Sequence, residues 1–196
     1  MSESSDTAPL APAAPVLSLR VGRLARLLAI DERLLVAARR LHGPWRTRVA
    51  RALTRAGDKS SWTLVVLVLL AVGQPFTVLG ARLAAATLLG TLLSQALKRG
   101  LHRPRPTSAI VGFEALAENP DRFSFPSGHT TAAFAAAVAL AGAPFGLGPA
   151  ALVLALGIGL SRIYLGAHYP LDVAVGAALG GIAGGLARLL LALAGL

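Results

Sequence analysis

The chain has 196 residues, 55% of them apolar and 14% charged, against about 25% charged in an average soluble domain. That length fits one domain, and that balance is short of an ordinary water-facing surface. The absence of cysteine removes disulfide frameworks and thiolate metal sites. The formal charge of +10, from 19 basic and 9 acidic residues, comes without the motifs or interleaved aromatics of a nucleic-acid binder. It fits a membrane protein with arginine-rich cytoplasmic segments that also meets anionic headgroups.

Residues 1–18, rich in Ala, Pro and Ser, read as a disordered tail, and no basic start leads into an apolar core as a signal peptide requires. Residues 19–60 hold eleven of the 19 basic residues, from Arg20 to Lys59, with leucines and valines between them at helical spacing and Asp31-Glu32-Arg33 interrupting the apolar run. This pattern predicts one or two amphipathic helices on the membrane surface rather than a span. Residues 61–196 form the membrane domain. Five apolar blocks cover about 62–79, 83–97, 130–147, 149–165 and 171–195, each near the ~20 residues a spanning helix needs. Their Ala and Gly content allows close helix approach in lipid. The expected fold is therefore an all-α integral membrane bundle of about five transmembrane helices behind an amphipathic surface segment.

A polar stretch, 98–129, separates the second and third blocks and carries Phe113, Phe123 and Phe125 with Glu114, Glu118 and Asp121 between them. It reads either as an interfacial loop or as a lipid-facing gate beside a site. Its first part, Lys98-Arg99-Gly100-Leu101-His102-Arg103-Pro104-Arg105-Pro106, places cations and prolines after a helix C-terminus; alone it is a basic membrane-edge patch. Its end, Pro126-Ser127-Gly128-His129, offers Ser127 as an N-cap and Gly128 as a point of close backbone approach. The free N–H groups of the following turn could face an anion. Alone, this is a helix start with a histidine.

A third cluster runs from Ser161-Arg162 to His168-Tyr169-Pro170-Leu171-Asp172. Arg162 closes an apolar block, where a buried charge is costly and usually functional. Pro170 suits the first turn of the last helix. Asp172, four residues after His168, can reach back to one imidazole nitrogen and fix the tautomer, leaving the other free to attack. Because apolar blocks alternate across a membrane, all three clusters fall on one face, where a single pocket would hold several cations, two histidines and an aspartate.

In these residues the chain resembles the phosphatidic acid phosphatase type 2 superfamily, which includes membrane lipid phosphatases, bacterial acid phosphatases and vanadium haloperoxidases. Lys98 precedes Arg105-Pro106 by the family's six residues, Pro126 to His129 match its second motif, and Ser161-Arg162, His168 and Asp172 match its third. The resemblance implies that His168 attacks phosphorus to form phosphohistidine and Asp172 orients it. His129 would protonate the leaving oxygen and then activate water. Lys98, Arg105, Ser127, Gly128 and Arg162 would bind the phosphate. It implies no cofactor and no metal, positioning and charge sufficing for phosphoryl transfer.

The expected partners are a lipid phosphate substrate, of an isoprenoid or a glycerolipid, and membrane lipids, with no nucleic acid. His102, Arg99 and Arg103 are expected to face headgroups or solvent, and Tyr164 and Tyr169 to sit at the interface. Two spans separate the basic N-terminal segment from Lys98, so both lie on one face. The opposite loops carry almost no charge beyond Arg82, which puts the site on the cytoplasmic face of a bacterial-type plasma membrane. A vanadate-dependent peroxidase and a non-catalytic lipid-binding protein are the competing readings.

Overall fold

Gly73 and Pro75 break the first long apolar run, and the chain obeys them. In the computed structural model, which describes residues 16–117 and 121–195, Gly73 takes a φ of +93° that favours glycine, and it separates α3 from α4. The helices are α1 (Val16–Ala38), α2 (Pro44–Ala56), α3 (Lys59–Val72), α4 (Phe76–Leu101), the single turn α5 (Pro106–Ala109), α6 (Gly128–Ala139), α7 (Leu147–Tyr164) and α8 (Pro170–Leu193). The expected tail lies outside the described residues save for its last positions, which begin α1. No strand occurs among the described residues.

Among the described residues, three segments are long and apolar enough to cross a membrane: Phe76–Leu101, Pro144–Tyr164 and Pro170–Leu193. The remaining apolar helices, α3 and α6, have 14 and 12 residues, shorter than the blocks that predicted them. For α6 the reason is its position. It packs against α8, α4 and α7, and Ala133, Ala135, Ala136, Ala137 and Ala139 are all buried. A helix enclosed by neighbours need not match the thickness of the bilayer. Its C-terminal end receives Arg188 of α8, whose Nη1 donates to the carbonyls of Val138 at 3.2 Å and Ala141 at 2.8 Å. Those are groups a helix end otherwise leaves to water.

The distribution of side chains is inverted relative to a water-soluble protein. The core is mostly alanine with Leu83 and Ile158, while Leu64, Leu67, Leu88, Leu92, Val153 and Leu189 stand exposed on the outside. Small residues at helix contacts and large ones facing outward are what lipid selects. The α6–α8 contact shows how close the approach is: a Cβ added at Gly180 would lie 2.3 Å from the Thr131 carbonyl. The N-terminal helices follow the same rule. On α1, Leu24, Leu27, Ile30 and Leu34 are exposed, whereas Asp31 and Leu35 face the bundle.

Candidate active site

The site lies at one end of the bundle, where α4 and α7 finish and α6 and α8 begin. Lys98 occupies the last turn of α4, Gly128 the first of α6, Arg162 the last of α7 and Asp172 the first of α8. The three sequence clusters therefore converge, as alternation required. Lys98, Arg105, Gly128, His129, Arg162 and His168 line one cavity of about 440 Å³. The other two expected residues stand just behind it. Ser127 and Asp172 are fully buried, and the Ser127 N–H donates to the Asp172 carbonyl at 3.0 Å, tying the start of α6 to that of α8.

Ser127 is the N-cap residue of α6, but its side chain caps no backbone N–H; instead it accepts a hydrogen bond from Thr130 Oγ1 at 2.9 Å. The first-turn amides of α6 are thus left by Ser127 for an anion in front of Gly128.

His168 sits in the α7–α8 turn, 1% exposed. Its Nδ1 lies 3.6 Å from Asp172 Oδ2, beyond hydrogen-bond length but close enough for the carboxylate to hold the ring's orientation. Nε2 is then the nitrogen available to the cavity. Burial pushes the imidazole down to about 3, with Arg162 and Arg105 adding to the effect against the pull of Asp172. Around neutral pH the ring is therefore uncharged, the form that carries a nucleophilic lone pair.

Asp172 is itself held. Its Oδ2 accepts from the Tyr169 N–H at 2.9 Å and its Oδ1 from Arg103 Nη1 at 2.7 Å. Arg103 Nη2 reaches Asp31 of α1 at 2.7 Å, and Asp31 Oδ1 accepts from the Leu171 N–H at 2.8 Å. The Arg103 guanidinium also covers the Tyr169 ring, 4.0 Å from its centroid. Arg103, expected to face headgroups, is instead turned inward as the bridge between two buried carboxylates, and Tyr169 is buried beneath it. His102 ends α4 in a left-handed conformation and packs edge-on to Phe123 at 4.6 Å. Tyr164 accepts from the Gly43 N–H at 3.1 Å and so fastens the α1–α2 connection to α7.

Five further contacts were invisible in the motifs. His129 Nε2 lies 2.9 Å from Oδ1 of Asp58, the residue before α3. Arg162 Nη1 donates to Thr54 Oγ1 of α2 at 2.5 Å. Lys98 Nζ meets Asp121 Oδ2 at 2.5 Å, and Arg105 donates from Nε to the Asp121 carbonyl at 2.6 Å and from Nη1 to the Ala167 carbonyl at 2.8 Å. Burial raises the Asp121 carboxyl, but the Lys98 ammonium outweighs it and holds the group below the usual carboxylate range. Asp121 thus presents an anion to the cations expected to bind phosphate. Phe113, read as part of a possible gate, packs instead with Leu35 and Tyr169 in a small core; Glu118 lies outside the described residues.

Chemically, the cavity sets a neutral, oriented imidazole and a second, carboxylate-paired imidazole among three cationic side chains and a helix N-terminus. Among the described residues no three His, Asp or Glu side chains cluster in a way that could hold a metal ion.

The pattern of the PAP2 superfamily matches residues 79–194. Decaprenylphosphoryl-5-phosphoribose phosphatase of Mycobacterium tuberculosis is 36% identical over 148 residues, covering 73% of this chain and 79% of that protein. Phosphatidylglycerophosphatase B of Bacillus subtilis is 32% identical over 164 residues, covering 76% and 77%. Among solved structures, a transmembrane PAP2 type phosphatidylglycerolphosphate phosphatase from Bacillus subtilis superposes with a TM-score of 0.71 at 26% identity, covering 83% of this chain and 85% of that one. LpxE of Aquifex aeolicus superposes at 0.69 with 29% identity, covering 80% and 93%.

Proposed function

This chain belongs to the PAP2 superfamily, and from that premise we propose that it is a membrane phosphatase that hydrolyses a lipid-borne phosphate, of an isoprenoid or a glycerolipid, through a phosphohistidine on His168 without a metal. The observation that carries the reading is the buried His168–Asp172 pair facing a cavity that Lys98, Arg105 and Arg162 also line. Relatives named as phosphatases of decaprenylphosphoryl-5-phosphoribose, lipid A and phosphatidylglycerophosphate support the substrate class.

In the first step His168 Nε2 forms a bond to phosphorus as the phosphorus–ester oxygen bond breaks. His129 gives its proton to the departing oxygen. Asp172 balances the positive charge that develops on His168, and the Arg103–Asp31 pair keeps Asp172 in place. Lys98, Arg105, Arg162 and the first-turn amides at Gly128 stabilise the three non-bridging oxygens, which is most of what phosphoryl transfer asks of a protein. In the second step His129 takes a proton from water, whose oxygen attacks phosphorus. The nitrogen–phosphorus bond breaks, and phosphate leaves with His168 neutral again. Asp58 on Nε2 of His129 fixes the tautomer of the neutral ring so that Nδ1 gives and takes the proton. Asp121 moves off Lys98 when phosphate arrives.

The site faces the cytoplasm, since the basic α1–α2 region shares its end of the bundle. Phosphate release in detergent with EDTA tests the reading, using farnesyl diphosphate, undecaprenyl diphosphate, phosphatidate and phosphatidylglycerol phosphate. Wild type releases phosphate from at least one of these, and His168→Ala releases none. Equal release by the folded variant, or release that EDTA abolishes, contradicts it.

A further inference from the structure

Hydrolysis of a lipid phosphate gives two products of opposite solubility. The lipid product can stay beside the apolar helices, but inorganic phosphate is a bare anion that hydrocarbon excludes. It needs its own way to water. A second cavity, of about 650 Å³, lies beside the first, with His102, Thr107, Ser108 and Arg122 in its lining. All four are exposed, and they belong to the polar stretch at the end of the bundle, so this basin opens to water and not to lipid. Among the described residues, only Arg105 and Asp121 line both the basin and the cavity of His168.

Asp121 stands at that junction in the place of an anion. Its carboxylate pairs with Lys98, and its carbonyl accepts from Arg105 Nε at 2.6 Å. One residue thus occupies two of the three cations that line the site. The carboxylates behind His168 are built to stay. Asp172 and Asp31 are buried, and each accepts from Arg103 and from a backbone N–H. Asp121 is built otherwise: its side chain is 40% exposed, and among the described residues its carboxylate accepts only from Lys98. The chain just beyond it is fixed, because Phe123 bridges Pro104 and the Ser124 N–H donates to the Arg103 carbonyl at 2.9 Å. Rotation about its own side-chain bonds takes the carboxylate from Lys98 towards the basin while its carbonyl keeps Arg105 in place.

We propose that Asp121 displaces the product: its carboxylate returns to Lys98 and drives inorganic phosphate past Arg105 into the basin. The ligand of the basin is then a free tetrahedral oxyanion, distinct from the lipid-borne phosphate of the first cavity. Arg105 is the one cation of the site that lines both, so the leaving anion keeps a positive partner along the way. An arriving lipid phosphate moves Asp121 aside with the help of its apolar tail, held where Trp62, Val66 and Leu88 line the first cavity. Free phosphate has no tail and must compete with the carboxylate on charge alone, so it is a weak inhibitor. This inference rests on the phosphatase reading.

The test follows a single turnover of radiolabelled lipid phosphate, taken from whichever of the four lipids above wild type hydrolyses. Rapid alkaline quenching counts inorganic phosphate formed, and a fluorescent phosphate-binding protein counts phosphate freed. Asp121→Asn should form phosphate as fast as wild type but free it about fivefold or more slowly. The Ki of added inorganic phosphate should fall by about fivefold or more as well, as loss of one charge-assisted competitor predicts. Thr107→Trp, which fills the basin from an exposed position, should lengthen the interval between formation and freeing with formation unchanged. A smaller fall in Ki for Asp121→Asn overturns the proposal and leaves the phosphatase reading standing. So does formation that slows as much as freeing, which a purely structural role would give. An interval that Thr107→Trp leaves unchanged overturns the route through the basin. Folded wild type that forms no phosphate from any of the four lipids removes the phosphatase reading and this inference with it.

Discussion

At the scale of single residues, the site pairs each of two histidines with a carboxylate, and the two pairs are built differently. Asp172 comes from the same motif as His168, four residues on, whereas Asp58 reaches His129 from 71 residues away. Only the first pair could be read from the sequence, because only it is fixed by the geometry of one helix turn. Asp58, Asp31 and Asp121 lie outside every motif and reach the site through chain reversals, so no spacing announces them. Arg103 was misread for a related reason: a cation beside a helix end looks the same in sequence whether it turns out to lipid or in to Asp172. The Asp58 contact has a measurable consequence. Asp58→Asn should lower kcat by roughly ten- to a hundredfold, part of what general acid–base catalysis contributes. The loss should be smaller in the phosphorylation step with p-nitrophenyl phosphate, whose leaving group departs without a proton. Stopped-flow release of nitrophenolate checks this; an equal loss for both leaving groups would reduce Asp58 to a packing residue.

At the scale of elements, the bundle is held by how closely α6 and α8 approach. Gly176, Gly180 and Gly184 recur at one-turn intervals, and a Cβ at any of them would meet α6 backbone oxygen within 2.8 Å. Gly180→Val should therefore cost about 1–3 kcal/mol, the usual toll of overpacking, and displace Ser127 and Gly128 at the head of α6. Gly181→Ala, with nothing within 4 Å, serves as the control. Thermal unfolding in detergent should show a lower midpoint for Gly180→Val than for the control; matching midpoints would mean the helices are not in this contact. Most elements were legible from apolar periodicity: α7 and α8 fall within two residues of their blocks. The exceptions share a cause. Counting apolar residues joined Phe76–Leu79 to the wrong helix because it passed over Gly73 and Pro75, and it extended α6 into the turn around Gly142 because alanine-rich runs carry no boundary of their own.

At the scale of the whole molecule, charge is as unevenly placed as apolar surface. α1, α2 and the loops that build the site gather at one end of the bundle, and that end carries most of the basic side chains. Cysteines placed by Ser4→Cys and Thr107→Cys should resist a membrane-impermeant maleimide in intact cells and react once the membrane is opened; labelling of either in intact cells would put the site on the outer face. The central claim, wherever the site faces, is that phosphate passes through His168. Its most direct measurement is rapid quenching of the enzyme during turnover of a radiolabelled lipid phosphate, followed by mapping of covalent label. Alkali-stable label is expected on His168 in wild type, and none in His168→Ala. Turnover by wild type with no covalent label, or label that survives in His168→Ala, would contradict it.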